Sequence, residues 1–111
     1  MKIRIYQIDI DLDKDNLSFR NLEFVYKKSG GRVPEEIYEC VYEGEIEDSK
    51  LDYIFYIFNQ MIPKEFSSRS MSVSDVIEIL HPQGDSSFYF VDSVGFRHIP
   101  FDKSKAKEKK K

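Results

Sequence analysis

A single cysteine, Cys40, stands in this chain of 111 residues, so no intrachain disulfide and no cysteine-built metal cage can form. No apolar run approaches the ~20 residues that a membrane-spanning helix needs. The opening residues lack the apolar stretch of a secretory signal. These absences predict a cytoplasmic protein without membrane insertion. The chain is also too short for the two βαβαβ halves of a doubly wound nucleotide fold. Gly30-Gly31-Arg32 lacks the spacing and the terminal Lys-Ser/Thr of a phosphate-binding loop. No cofactor is expected.

What is present is aromatic and charged. Seven Tyr and nine Phe supply large rigid side chains to bury, which argues against wholesale disorder. The net charge of −3 conceals an asymmetry. Residues 1–101 carry 11 basic and 18 acidic side chains, net −7, whereas residues 102–111 hold six Lys against two acids, net +4. The stretch 35–52 alone contains eight acids and one Lys. Such a field repels phosphate and favours a basic partner.

Local patterns predict a small α+β domain. Period-two alternation marks Lys2–Asp11 as a strand. Asn21–Lys28 reads as a short helix closed by Gly30-Gly31. Pro34–Glu43 reads as a second helix, with Pro34 at its first position, Glu35 and Glu36 in its first turn and Gly44 just past its end. Ser49–Gln60 is the clearest helix: Leu51, Ile54, Phe55 and Phe58 follow helical spacing, Ser49 is a candidate cap, and Pro63 stops continuation. Ser72–Leu80 fits either one short helix or a helical turn feeding a short strand. Ser87–Phe101 fits a hairpin. The expected architecture is a short mixed or antiparallel sheet of three or four strands packed on two or three helices. It spans residues 1–101, with a disordered Lys-rich tail at 102–111.

The segment Arg69-Ser70-Met71-Ser72-Val73-Ser74-Asp75-Val76-Ile77 and the hairpin Phe88-Tyr89-Phe90-Val91-Asp92-Ser93-Val94-Gly95-Phe96 are the most distinctive stretches. With the Ile3-Tyr6-Gln7-Ile8 strand, and with Tyr38, Val41, Tyr42, Gly44, Glu45, Phe58 and Asn59, they resemble the YodL-like domain family over residues 2–101. The resemblance implies a context, the conjugative elements and phages of low-GC Gram-positive bacteria, and transfers no catalytic residue. The Lys-rich tail departs from the pattern.

Candidate chemistry is sparse. Asp9, Asp11, Asp13 and Asp15 have the spacing of a calcium loop, but Lys14 stands where such a loop needs Gly and Arg20 where it needs Glu, so no metal is expected. His81 and His98 could pair with Asp75 or Asp92, and Cys40 or Ser72 could be a nucleophile, yet no spacing joins them into a catalytic set. Cys40 beside Ile37 and Val41 reads as a buried thiol. Ser70, Ser72 and Ser74 with Asp75 read first as local caps.

Two binding surfaces emerge. On a helix, Glu35, Glu39 and Glu43 would project from one side, joined by Glu47 and by Arg69 as a binding edge. The acidic face points to a non-enzymatic protein-binding module that blocks a host nucleic-acid-binding protein by mimicry, and the resemblance implies an accessory role in a mobile genetic element, including inhibition of a host defence protein. The alternative is a nucleic-acid-associated module using Lys103, Lys105, Lys107, Lys109, Lys110 and Lys111. A small hydrolase is a third reading.

Overall fold

A computed structural model describes residues 1–108. Its organising strand is β1 (Lys2–Ile8), where Ile3 and Ile5 face one way and Arg4, Tyr6 and Ile8 the other. The strand is flanked on both sides, by β2 (Tyr38–Glu45) and β3 (Val76–Leu80). β4 (Ser86–Val91) and β5 (Phe96–Ile99) extend the sheet by two hairpins. The order is β2-β1-β3-β4-β5, and all neighbours are antiparallel. The domain is thus a small α+β unit with a five-stranded antiparallel sheet rather than three or four strands.

Residues opposite one another in an antiparallel pair share a face. The register Tyr6↔Val76↔Phe90 therefore builds one core, covered by α1 (Leu22–Lys28) through Leu22 and Val25. Ile5↔Ile77, with Ile3 and Ile79, builds the other, covered by α2 (Leu51–Gln60) through Ile54 and Phe58. Tyr42 and Phe66 meet the Phe58 ring edge-on, at 4.8 and 5.0 Å between centroids. α1 is capped by Asn21, whose side chain accepts the Phe24 N–H at 2.9 Å. α2 starts one residue later than Ser49 suggests. Lys50 occupies the cap position, and Asp48 accepts the Lys50 N–H.

The helix expected over Pro34–Glu43 is a strand. Pro34 and its two acids do form a single 3-10 turn, Glu35–Ile37, but pairing with β1 takes over from Tyr38. A bulge explains why the strand was hidden. The register passes from Tyr6↔Cys40 to Ile5↔Tyr42, leaving Val41 as the extra residue. Tyr38 and Cys40 consequently face the α1 core, and Tyr42 faces the α2 core. Apolar residues then occupy both parities of the strand, so clean alternation is lost. The Ser72 segment takes its turn-then-strand form: Asp75 N–H donates to Ser72 O, and β3 begins at the next residue.

The chain beyond Phe101 is docked as far as it is described, contrary to the expected disorder from 102. Asp102 caps a 3-10 turn, Lys103–Lys105, and Ala106 is buried in the α1-side core. Lys107 then lies along the outer edge of β2. Cys40 N–H donates to Lys107 O, and Lys107 N–H donates to Tyr38 O, both at 2.9 Å. An otherwise open strand edge supplies donors and acceptors that only an extended segment can satisfy. Lys109, Lys110 and Lys111 lie outside the described residues.

Candidate functional site

The sheet geometry dismantles the expected acidic helix face. Glu39 pairs with Gln7 and Glu43 with Arg4, so the bulge sends the two carboxylates to opposite faces. Glu43 is neutralised by Lys2 at 3.1 Å and by the Arg4 Nε at 3.0 Å, which hold its carboxyl below the usual range. Glu35 is tied to Arg32 and accepts the Asp102 N–H. Glu36 is bound by the same guanidinium at 2.8 Å. Of the expected set, Glu47 remains exposed. Arg69 is not a presented edge: its Nη2 donates to Ile8 O at 2.9 Å, pinning the 61–75 segment to the end of β1.

Two of the three described lysines of the expected nucleic-acid tail are likewise engaged. Lys103 binds Glu78 at 2.9 Å and Lys107 binds Asp9 at 2.6 Å, while Lys105 is exposed. Beneath this segment lies a cleft of ≈ 520 Å³ whose lining includes Arg4, Tyr6, Cys40 and Glu43. Three of its lining residues, Arg4, Tyr6 and Lys103, reach below it to Glu78. Glu78 is fully buried and accepts hydrogen bonds from Arg4, from the Tyr6 hydroxyl at 2.7 Å, from Ser86 and from Lys103. Burial pushes its carboxyl up, but those four partners outweigh burial and hold it below the ordinary range. Every cation of the cleft already has a carboxylate: Arg4 has Glu43 and Glu78, Lys103 has Glu78, and Lys107 has Asp9.

A second buried carboxylate, Asp75, sits in a knot of polar groups on the α2 side. Its Oδ2 accepts from Gln7 Nε2 and from Ser72 N–H, both at 3.0 Å. The Gln7 amide is held in turn by Ser68 and by Arg69 O. Asp75 Oδ1, Ser72 Oγ and Arg69 Nε are buried with no hydrogen-bond partner among the described residues. Burial raises the Asp75 carboxyl to about 7, against the lowering effect of Ser72, Gln7 and Arg69.

The Ser-Val-Ser-Asp-Val stretch is therefore a built joint between two strands and a loop, and Gln7 meets it from β1. Together with the hairpin that pairs Val91 with Phe96, it spans the most distinctive part of the sequence. The YodL-like domain model matches residues 2–101. The chain belongs to the YodL-like domain family. No curated protein and no solved structure matches it.

In this YodL-like domain the candidate catalytic groups are not brought together: Cys40 lines the cleft under the C-terminal segment, and neither histidine does. Cys40 is buried, its Sγ donates to Tyr42 O, and burial pushes the thiol up, opposite to what a nucleophile needs. His98 stacks on Tyr89 at 5.1 Å. His81 Nε2 lies 2.8 Å from Ser87 Oγ across the β3–β4 hairpin, a pair the sequence reading did not single out. The Asp9–Asp15 series is spent on turns: Asp9 accepts the Asp11 N–H, and Asp13 accepts from Leu17, Ser18 N–H and Ser18 Oγ. Among the described residues no cluster of His, Cys, Asp or Glu suits a metal ion, and no helix is long and apolar enough to cross a membrane.

Proposed function

We propose that this YodL-like domain is a non-enzymatic accessory module that binds a basic protein through the outer face of α2. The observation that supports the reading is an apolar cluster left in solvent at the helix's C-terminal end. Tyr56 is 50% exposed, Met61 61% and Ile62 48%. Aromatic and Met side chains of this kind are enriched in the centres of protein interfaces. One turn N-terminal to Tyr56, on the same side of the helix, stands exposed Asp52, with exposed Glu47 and half-buried Asp48 in the approach to the helix. None of the three is in an ion pair among the described residues, so an acidic margin borders the apolar cluster. A partner with an apolar contact flanked by Lys or Arg would complement both. This surface replaces the acidic helix that β2 overturns and keeps Glu47 from the original set. The cytoplasmic setting, the role in a mobile element and the inhibition of a host defence protein belong to the same proposal. The family resemblance supports the mobile-element setting.

The test is affinity capture on the immobilised full chain, with two double variants beside it. Tyr56→Ser with Met61→Ser removes the apolar cluster, and Glu47→Lys with Asp52→Lys reverses the margin. All four positions are solvent-facing, so the fold should survive both. A partner recovered by the parent chain and lost by both variants supports the reading. Recovery unchanged in both overturns it.

A further inference from the structure

On the α1 side of the molecule a strained aromatic residue is held open to solvent. Phe19 has φ of 68° with its ring 53% exposed. A bulky side chain in the left-handed region is strained, and such strain persists only where surrounding structure enforces it. Here the enforcement is visible. The Phe19 N–H donates to Ser74 Oγ at 3.0 Å. Ser74 is itself buried and left-handed, with φ of 85°. Its N–H donates to Val91 O, and its carbonyl accepts the Tyr38 hydroxyl at 2.6 Å. A fixed, buried residue thus anchors the backbone of an exposed aromatic residue.

One cation lies over that ring, and two lie over the Phe24 ring that lines the same cleft. Arg20 lies with its guanidinium carbon 3.5 Å from the centre of the neighbouring Phe24 ring, and Lys28 Nζ is 5.7 Å from the same centre. Arg69 backs Phe19 at 5.2 Å. A cleft of ≈ 450 Å³ opens here, lined among others by Phe19, Arg20, Phe24 and Lys27. Pairing divides the cations of the molecule, and Lys14, Lys50, Lys64 and Lys105 lack a carboxylate among the described residues. Lys2, Arg4, Arg32, Arg97, Lys103 and Lys107 all meet a carboxylate. Among the described residues Arg20, Lys27 and Lys28 meet none, although Glu23 also lines the cleft.

We propose that this cleft binds a phosphorylated, unpaired nucleobase, with the base stacked on Phe19 and its phosphate met by Arg20 and Lys27. A flat, half-exposed ring with uncompensated cations beside it is the combination that unpaired nucleotides require. An acidic peptide would use the cations and leave the strained ring without a purpose. The acidic field of the remaining body confines phosphate contacts to this island, so the site accommodates one or two nucleotides rather than a long track. The residues are distinct from the C-terminal lysines and from the α2 surface proposed for protein binding.

The full chain is titrated with fluorescein-labelled dT10 by anisotropy and with thymidine monophosphate by amide shift mapping. Phe19→Asn keeps a residue that tolerates the left-handed backbone and removes the ring. The expected result is a loss of roughly tenfold in affinity, in the range of one stacked base. Arg20→Glu with Lys27→Glu is expected to abolish binding. A variant with Lys105, Lys109, Lys110 and Lys111 changed to Gln is expected to bind as the parent does. Saturation by the oligonucleotide alone assigns an exposed strand as the source. Equal affinity for the mononucleotide assigns a free nucleotide. The proposal is overturned if neither probe saturates, or if binding survives Phe19→Asn and is lost with the C-terminal lysines. It also fails if a poly-glutamate peptide binds as tightly as dT10 and without dependence on Phe19.

Discussion

Asp75 and Glu78 lie three residues apart, one just before β3 and one within it, and both are closed off from water. The fold treats them in opposite ways. Glu78 faces the α1 side and has two cations and two hydroxyls, so it is held ionised despite its burial. Asp75 faces the α2 side and has one amide and one backbone N–H for a single oxygen. Its second oxygen has no hydrogen-bond partner among the described residues, and the carboxyl is raised to about 7. Burial alone therefore does not decide the charge of a carboxylate; the number and sign of its partners do. Glu78 fastens the segment after Phe101 to the sheet, whereas Asp75 fastens the 61–75 segment, and the two fastenings should respond to acid and base with opposite signs.

The largest effect is expected from removing the ionised member. Glu78→Gln leaves Arg4 and Lys103 facing a neutral amide of the same size. The loss should be about 3 kcal/mol at neutral pH, toward the lower end for broken buried pairs because Lys103 is half exposed. Urea denaturation measures it. The sign with pH follows from the lowered carboxyl. Glu78 contributes stability that is present above the ordinary carboxyl range, 4.5 for Glu, and is lost as pH falls through its depressed folded value. Parent and variant should therefore converge in acid. A constant difference across that range would mean that Glu78 acts through packing and not through charge.

Asp75→Asn probes the opposite case, with a smaller effect. In the parent, the raised carboxyl favours the protonated folded form. Its contribution is full below the ordinary value of 3.8 and is lost as pH rises to about 7. Asn keeps an acceptor for Gln7 and Ser72 and carries no charge. The variant should gain on the parent as pH rises from 4 to 8. Superimposable pH profiles would show that Asp75 titrates as an ordinary carboxylate, and the contrast with Glu78 would collapse.

Neither role was legible from the sequence, although much of the fold was. β1, α1, α2 and the closing hairpin rest on local periodicity, and Asn21 capped as its residue type suggests. β2 was misread because its evidence is long-range. The pairing partner lies more than thirty residues away, and the Val41 bulge erases alternation. The acidic face was lost to the same bulge, since Glu39 and Glu43 would share a side on a helix or on a regular strand and are parted by Val41. Glu78 stood unremarked inside an apolar strand, although a lone carboxylate in Val76-Ile77-Glu78-Ile79-Leu80 is itself a signal that a cation must come to it. Phe19 gave no such signal, because its strain comes from Ser74, fifty-five residues later.

The smallest predicted effect separates charge from main-chain pairing in the docked segment. Lys103→Gln removes one of the two cations on Glu78 and leaves Arg4, Tyr6 and Ser86 in place. Lys103 is 47% exposed, and solvent weakens such pairs, so the loss should be no more than about 1 kcal/mol. The informative readout is the Lys107 amide, whose hydrogen goes to Tyr38 O. If that amide keeps its protection from hydrogen exchange, the segment is held by Ala106 burial and by its pairing with β2. If protection is lost, the segment is held through Glu78, and the buried charge is then the determinant of whether the edge of β2 is covered.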